Sequence, residues 1–393
     1  QNNALEVLNI KNGNNTNFVG FSAIGNPSLT CIQVDDATWS TTNWMNIDLQ
    51  TSFNQNCAYA AYVPDDNFEQ ALIDLGFDSA PLDDFVPTEG ISTLTSLDIS
   101  NKGITDLTGI EAFTSLETLN CSFNTIESLN ISNNTSLNYL DCKNNQLSYL
   151  NTNTASLERL FCSNNKLTAL DLSNNPGLYI LECHVNELTN LDVSANTALR
   201  DFNVSNNALT SLDMSTNTLL EDLRCSNNKL TSIDVSNSTI LTVIVFSDNN
   251  LTTIDLSNNI YLEFFVGQRN YFTSLEFSAI PNLDLLACGG NKLNSIDVST
   301  NAALTDLNVH ANFLTELNLT NNINLEKLVC YENQIQNLDL SSNTNLKELD
   351  VDDNKLKSLN VQNGTNTNMT TFEANTNPDL YCVLVDDAAY STT

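Results

Sequence analysis

The chain has 393 residues, with 47 acidic and 14 basic side chains and a net charge of −33 at pH 7. This charge argues against nucleic acid and anionic membranes as partners, because phosphate binding requires a basic face, and it favours cationic partners. No apolar run has the length of a membrane helix and no signal peptide is present, so membrane insertion is not expected. The chain begins at Gln1 rather than Met, which indicates a processed protein or a fragment.

The first 57 residues are similar in sequence to the end of the chain. LEVLNIKNGNNTN, from Leu5, aligns with LKSLNVQNGTNTN, from Leu356, and NPSLTCIQVDDATWSTT aligns with NPDLYCVLVDDAAYSTT, at a constant offset of 351 residues. We therefore interpret residues 1–57 as the last turn and C-terminal cap of a preceding repeat block. Residues 377–393 are then a truncated cap without a counterpart of residues 43–57, which predicts an open edge and possible end-to-end self-association.

Two cysteines of the first cap lie outside the repeat pattern described below. A small cap buries little core, and a disulfide between Cys31 and Cys57 would contribute about 3 kcal/mol in the chain-entropy model. We therefore predict that these two residues form a disulfide. The counterpart of Cys31 is Cys382, and we expect Cys382 to be unpaired because this chain holds no counterpart of Cys57 for it.

Residues 58–92 predict a helical N-terminal cap. In VPDDNFEQALIDLG, Pro64 and Asp65 precede apolar residues at the spacing of an N-capped amphipathic helix. The apolar positions are Phe68, Leu72, Ile73 and Leu75. Such a helix would cover the first open edge of a stacked array.

Residues 93–376 carry a repeat with a 21-residue period. Twelve units from Leu116 follow the form L-x-x-L-x-C/V-x-x-N-x-L-x-x-L-D-V-S-x-N-x-x, for example LERLFCSNNKLTALDLSNNPG at residues 157–177. Alternate residues of L-x-x-L-x-C point inward from a short strand, so stacked units form a parallel sheet. The pattern predicts a leucine-rich-repeat solenoid. We expect a curved right-handed coil with the parallel β-sheet on its concave face and a short irregular or extended convex side.

The ninth position of the repeat is Asn in all twelve units. We predict that these amides hydrogen-bond the backbone of neighbouring turns and form a structural ladder. The Asn ladder comprises Asn124, Asn145, Asn165, Asn186, Asn207, Asn228, Asn249, Asn270, Asn291, Asn312, Asn333 and Asn354.

The sixth position is Cys in seven units and Val in others, which indicates a small buried apolar site. We expect free buried thiols there, and a metal-binding or redox ladder is the alternative. The cysteines of this column are Cys121, Cys142, Cys162, Cys183, Cys225, Cys288 and Cys330.

Acidic residues are the candidates for a metal site. The pairs Asp35-Asp36 and Asp65-Asp66 could bind Ca²⁺, although turn or helix caps are the alternative that we favour. A column of Asp at the fifteenth position is expected to be held by backbone hydrogen bonds, with metal binding as the alternative. Its members are Asp171, Asp192, Asp213, Asp234 and Asp255.

Sequence motifs for catalysis or cofactor binding are absent. The two histidines, His184 and His310, are six units apart, too far to share a metal or substrate, and we interpret them as surface residues. We therefore predict that the protein is not an enzyme and needs no cofactor, with Ca²⁺ as the possible exception.

The repeat form resembles the leucine-rich repeats of secreted, surface-associated proteins of the Bacteroidetes, especially the flavobacteria. VPDDNFEQALIDLG looks like their N-terminal cap, NPSLTCIQVDDATWSTTNW looks like their C-terminal cap, and ISNKGITDLTGIEAFTSL is similar to internalin-type repeats. The resemblance implies export by the type IX route and adhesion or protein binding at the cell surface. We therefore predict an extracellular, non-catalytic adhesion module with a protein or glycan partner. The alternatives are a structural spacer in a multi-block surface protein and a convex-face binder of ice or mineral.

The predicted binding patch lies in three consecutive units. The second, third, fifth, seventh and eighth positions should project from the concave sheet, and they are polar in most units. In these three units they become apolar, and exposed apolar surface often marks an interaction site. The patch comprises Val243, Val245, Phe264, Val266, Leu285 and Ala287, with Gln268 and Arg269 at its edge.

Two further expectations concern the surroundings of the patch. Gly289 and Gly290 should leave open backbone beside it. The alternative to a binding patch is an irregular unit in which bulky residues make Phe264 turn inward. The bulky residues are Phe265, Phe272 and Phe277.

Overall fold

In the computed structural model, the described residues are 5, 8–18, 20–55, 57, 60–153 and 156–391, without the side chain of Tyr390. Fourteen three-residue strands, one per turn, form a single parallel sheet in chain order. Equivalent repeat positions pair across it, as in Leu223 with Ile244. The strands are Ser96–Asp98, Thr118–Asn120, Tyr139–Asp141, Arg159–Phe161, Ile180–Glu182, Asp201–Asn203, Asp222–Arg224, Val243–Val245, Phe264–Val266, Leu285–Ala287, Asp306–Asn308, Lys327–Val329, Glu348–Asp350 and Thr371–Glu373. The predicted leucine-rich-repeat solenoid is confirmed.

The core follows from the apolar columns of the repeat. In the unit that begins at Leu220, the side chains of Leu220, Leu223 and Cys225 are 0% exposed. The same columns join into one hydrophobic cluster that runs from Ala61 to Val361. Burial of one such Leu contributes about 2 kcal/mol, so the stability of the array grows with the number of stacked turns.

The Asn ladder connects each turn to the preceding one. Asn228 Nδ2 donates to the carbonyl of Cys225 in its own turn and to that of Val204 in the preceding turn, both at 3.1 Å. Its Oδ1 accepts the Leu209 N–H at 3.0 Å. All twelve ladder residues make this set of bonds, as the Asn column predicts.

Every unit leaves the concave sheet through a residue in the left-handed region. The eighth position has φ between 49° and 69° in all twelve units, although only Gly290 is a glycine. This conformation is costly for a side chain that branches at Cβ, such as Val185. The neighbouring ladder Asn accepts and donates across the turn and so offsets part of this cost.

The convex half of most units is irregular and contains turns. Short strands occur there at both ends of the array, and 3₁₀ turns occur at Ile110–Ala112 and Asn366–Asn368. The convex strands are Ser128–Asn130, Tyr149–Asn151, Asn337–Asp339, Ser358–Asn360 and Cys382–Leu384. A second column of buried amides, at the nineteenth position, donates to carbonyls of the preceding turn, as Asn217 does to Val193 and Asn196. The repeat form contains this Asn, and its role is visible only in the contacts between stacked turns.

The N-terminal cap contains the predicted helix, which spans Asp66–Asp74. Asp65 caps it: its Oδ1 accepts the N–H groups of Asn67 and Phe68 at 3.0 and 2.9 Å, and its Oδ2 accepts that of Thr105 at 2.8 Å. One carboxylate thus joins the cap to the first turn of the array. An antiparallel pair, Ala60–Tyr62 with Phe85–Pro87, and the short helix Thr88–Ile91 complete the cap. Leu75, the C-cap residue of this helix, is exposed.

The N-terminal unit has its own core. Strands Leu8–Asn9, Cys31–Gln33 and Ser52–Asn54 form a separate parallel sheet, with a 3₁₀ turn at Asn15–Asn17 and a helix at Ala37–Asn43. Its hydrophobic cluster is distinct from that of the array. The predicted disulfide between Cys31 and Cys57 is present. At the other end, a short helix spans Ala388–Ser391. The domain boundaries given above remain predictions.

Candidate binding surface

The sheet register joins the residues of the predicted patch. Val243, Phe264 and Leu285 are direct neighbours across three strands, and so are Val245, Val266 and Ala287. The first five of these lie half-buried on the concave face, and Ala287 is buried. They therefore form one continuous apolar area.

Phe264 lies on the concave face, and Phe265 is fully buried. The inward alternative for Phe264 is therefore wrong. The bulky side chains of this unit pack inside instead: Phe265 lies edge-to-face against Phe246 at 5.1 Å and against Phe277 at 5.2 Å between ring centroids. The core thus accommodates the bulky rings, and the concave positions of this unit keep the orientation that they have in the other units.

Arg269 and Gln268 lie beside the apolar area. The Arg269 guanidinium forms a two-pronged ion pair with Asp248, with Nε–Oδ1 and Nη2–Oδ2 distances of 2.5 and 2.6 Å. The Arg269 side chain is 58% exposed, so this pair contributes at most about 1 kcal/mol. The Gln268 side chain is half-buried at the same edge. The charge of Arg269 is therefore already balanced within the protein.

The expectation of open backbone at Gly289 and Gly290 is wrong. The ring of His310, from the next turn, covers Gly289 so closely that a Cβ there would overlap it. A Cβ on Gly290 would lie 2.9 Å from Arg269 Cγ. His310 stacks on Tyr331 with ring centroids 4.7 Å apart, so an aromatic pair borders the patch in place of bare backbone.

The two histidines are half-buried rather than fully exposed. Burial lowers the pKa of His184 and of His310, while the neighbouring carboxylates of Glu182 and Glu332 act in the opposite direction. Both rings are therefore neutral at pH 7. His310 Nδ1 lies 2.5 Å from Asn308 Oδ1, which fixes the ring plane.

Carboxylates flank the patch along the strand rows. Asp222 is the neighbour of Val243 on one side, and Asp306 is the neighbour of Leu285 on the other. Burial raises the pKa of Asp306, and burial together with the adjacent Asp222 raises the pKa of Asp201. The apolar area thus lies between two acidic groups: burial disfavours the charge of Asp306, and Asp222 forms an ion pair with Arg224.

A second concave cluster was missed by sequence reasoning. The Arg159 guanidinium lies between the rings of Tyr139 and Tyr179, 5.5 and 5.7 Å from their centroids. Lys143 lies 5.9 Å from the centroid of Phe161 in the same region. Within the described chain, Arg159 has no carboxylate partner, whereas the other three arginines each form an ion pair. Aromatic residues at concave positions of three consecutive units were the signal that could have identified it.

The Ca²⁺ candidates are already engaged with backbone donors. Asp35 accepts the N–H groups of Gly13, Asn14 and Asn15 at 2.8 to 3.1 Å, and Asp36 caps the helix that begins at Ala37. Asp65 has the capping role described above, and Asp66 is exposed in the first helical turn. These contacts support the cap interpretation, and Ca²⁺ binding at these pairs stays a prediction.

Three other carboxylates, on Asp350, Asp352 and Glu373, have oxygens within 4.8 Å of one another.

In the fifteenth-position column each Asp accepts the N–H of the Ser two residues later, as Asp171 does from Ser173 at 3.0 Å. These hydrogen bonds lower the pKa of Asp171 despite the neighbouring Asp192. The column is held by the backbone, as expected.

The sixth-position cysteines are all buried with free thiols. Cys121, Cys142, Cys162 and Cys183 occupy four consecutive turns and are 0% exposed. Burial raises the pKa of Cys162 to about 12. Metal ligation and redox exchange require a thiolate, which is disfavoured at these positions.

No family model matches the chain. The functional domain of InlJ from Listeria monocytogenes, which includes a cysteine ladder, superposes with a TM-score of 0.77 at 34% identity; the match covers 84% of this chain and 78% of that domain. The chain belongs to the internalin-like leucine-rich-repeat proteins. Internalin J of Listeria monocytogenes serotype 4b (strain F2365) is 34% identical over 118 residues, or 27% of this chain. The match spans only 13% of the length of that protein.

A second internalin, InlF of Listeria monocytogenes, superposes with a TM-score of 0.71 at 22% identity, over 79% of this chain and 95% of that one. At this identity the match shows the fold alone. The InlJ domain includes a cysteine ladder, and this chain has seven buried cysteines at the sixth repeat position. Within the described residues, no helix is long and apolar enough to cross a membrane.

Proposed function

We propose that the protein is a non-catalytic adhesion module that binds a protein partner outside the cell through its concave sheet. The internalin-like repeats support a protein-binding role, and the disulfide between Cys31 and Cys57 supports an oxidising, extracellular location. The repeat and cap motifs support the further proposal of a Bacteroidetes surface protein that is exported by the type IX route. The spacer and ice- or mineral-binding alternatives have no specific observation in their favour.

The observation that carries the proposal is the apolar patch between acidic groups. Apolar area on a soluble protein favours contact with an apolar anchor, and the flanking Asp222 and Asp306 favour basic residues on each side of that anchor. The matching partner is a protein surface with one large apolar side chain between lysines or arginines. The half-buried ring of Phe264, at the centre of the patch, is the proposed hot spot.

The test uses an array of synthetic peptides with one Trp, Phe or Leu flanked by lysines, by serines or by glutamates. We expect the full chain to bind the lysine-flanked peptides and to reject the glutamate-flanked ones, with affinity that falls as salt rises. Phe264→Ala and Val245→Asp should each weaken binding at least about tenfold. Ile180→Ala and Asn203→Asp, at the matching third and fifth positions of other units, are the controls and should change binding less than about twofold.

Circular dichroism and the melting temperature must show that all four variants remain folded. Equal binding by the patch variants and the wild type would refute the patch. A glycan array is the second part of the test. Binding to glycans without binding to any peptide would show that the partner is a glycan rather than a protein.

A further inference from the structure

The two ends of the chain share one local geometry. Leu8 pairs with Ile32 in the N-terminal unit, and Leu359 pairs with Val383 in the C-terminal one. An Asp accepts a glycine N–H at 2.8 Å in both units, Asp35 from Gly13 and Asp386 from Gly364. The sequence offset of 351 residues is therefore also a structural equivalence.

The two units differ in what covers them. Leu29, Ile32 and Val34 are 0% exposed and pack with Trp44 and Phe53 in one cluster. Their counterparts, Leu380, Val383 and Val385, are only partly buried. Cys31 is in a disulfide, whereas its counterpart Cys382 is an exposed free thiol.

The backbone shows the same difference. In the N-terminal unit, Asn54 O accepts the Val34 N–H at 2.8 Å and the Asp48 carboxylate accepts the Gly25 N–H at 2.9 Å. Both acceptors belong to the segment 43–57. The counterpart N–H groups, of Val385 and Thr376, have no acceptor among the residues that the structure describes. N–H groups without an acceptor in the described part of the chain, beside partly buried apolar side chains, form an edge that can take another strand.

We propose that this C-terminal face is a docking site for a polypeptide segment with the chemistry of residues 43–57. Such a segment supplies an indole like that of Trp44, a carboxylate like that of Asp48, a strand centred on an aromatic residue like Phe53, and a thiol like that of Cys57. The strand pairs with Cys382–Leu384 as Ser52–Asn54 pairs with Cys31–Gln33. The thiol then forms a disulfide with Cys382.

The cross-link requires an oxidant, and glutathione disulfide serves in the test. A Cys382 thiolate attacks glutathione disulfide, and one glutathione leaves. The thiolate of the docked segment then attacks the sulfur of Cys382, and the second glutathione leaves. In total two thiols lose two electrons and two protons, and one glutathione disulfide becomes two glutathione molecules.

The experiment adds a synthetic peptide of residues 43–57 to the full chain. Without oxidant, we expect amide hydrogen exchange at Val383–Val385 to slow at least about tenfold. With glutathione disulfide, mass spectrometry should locate the peptide on Cys382. The Cys382→Ser variant should keep the slower exchange and lose the link. A peptide with Trp44→Ala and Phe53→Ala retains the thiol, and it should lose the protection and most of the link.

Three outcomes would overturn the proposal. The first is unchanged exchange at Val383–Val385 with the native peptide. The second is equal cross-linking by the native and substituted peptides, which would show only an exposed thiol. The third is association of the chain without peptide through links between Cys57 of one copy and Cys382 of another, which would make a second copy the occupant.

Discussion

Phe246 occupies the space that a side chain at Gly267 would need. A Cβ on Gly267 would lie 2.6 Å from Phe246 Cζ and 3.1 Å from Phe265 Cε1. Phe246 and Gly267 hold the sixth position of consecutive turns, where the other turns have Cys or Val. The larger volume in one turn is matched by the missing side chain in the next, so the core remains closely packed.

This pairing predicts non-additive stability. Gly267→Val should destabilise the protein by about 1–3 kcal/mol through overpacking. In a Phe246→Val background the same change should cost much less, because the pair then has the volume of a regular column. A double-mutant cycle from urea unfolding measures the coupling, which we expect to exceed about 1 kcal/mol. Additive effects of the two changes would contradict the packing account.

The Asn ladder predicts a substitution whose effect depends on pH. Asn249 is 5% exposed, and its Nδ2 donates to the carbonyls of Cys225 and Phe246. In Asn249→Asp a carboxylate would face these oxygens, so the pKa of the new Asp should be raised in the folded state. Its destabilisation should therefore be largest at pH 7 and decrease as the pH falls and the carboxyl becomes protonated. Measurements of the free energy of unfolding at several pH values test this prediction. Asn249→Ala should show no such pH dependence, and Asn250→Asp, at an exposed position, should cost little stability.

Asp65 predicts acid sensitivity of the N-terminal cap. Burial acts to raise the pKa of Asp65, but hydrogen bonds from Thr105, Phe68 and Asp106 outweigh it, and the pKa is lowered from its usual 3.8. The stability that this group contributes is therefore present above pH 3.8 and is lost as the pH falls through the folded-state pKa. Hydrogen exchange in the helix Asp66–Asp74 should accelerate, relative to the array, as the pH falls below 3.8. The pH dependence of opening should be weaker in Asp65→Asn, and an equal dependence in both proteins would remove Asp65 as its cause.

The cysteines predict a sharp division of reactivity. Cys382 is exposed, whereas the seven cysteines of the sixth-position column are buried, and burial raises the pKa of Cys225 to about 12. Iodoacetamide at pH 8 should alkylate Cys382 in the native protein and the column only after unfolding. Peptide mass spectrometry identifies the modified residues. Native alkylation within the column at the rate of Cys382 would contradict its burial.

The 21-residue period made the architecture predictable. The period determines the strand positions, the alternation within L-x-x-L-x-C places Phe264 outside and Phe265 inside, and the invariant Asn marks the ladder. These features depend on contacts between equivalent positions of successive turns, and the repeat in the sequence shows which residues are equivalent.

The parts that sequence reasoning missed depend on the identity of side chains in adjacent turns. Gly289 is covered because His310 reaches back from the following turn, and no pattern within one unit shows that reach. The left-handed eighth position was missed although seven of its twelve residues are Asn, Asp or Gly, which favour that region, because residues such as Phe123 and Val185 interrupt the pattern. The Arg159 cluster was missed because its three side chains come from three different turns.

The ladder bonds have a mechanical consequence. Each connects a turn only with the preceding one, as Asn207 joins Val204 to Cys183. A load applied along the chain from one end therefore acts on a single set of bonds at a time. The array then unfolds one turn after another. Each released turn adds about 70 Å of contour length at 21 residues per turn. A tether built this way would lengthen under tension in equal steps and limit the force that reaches whatever it holds.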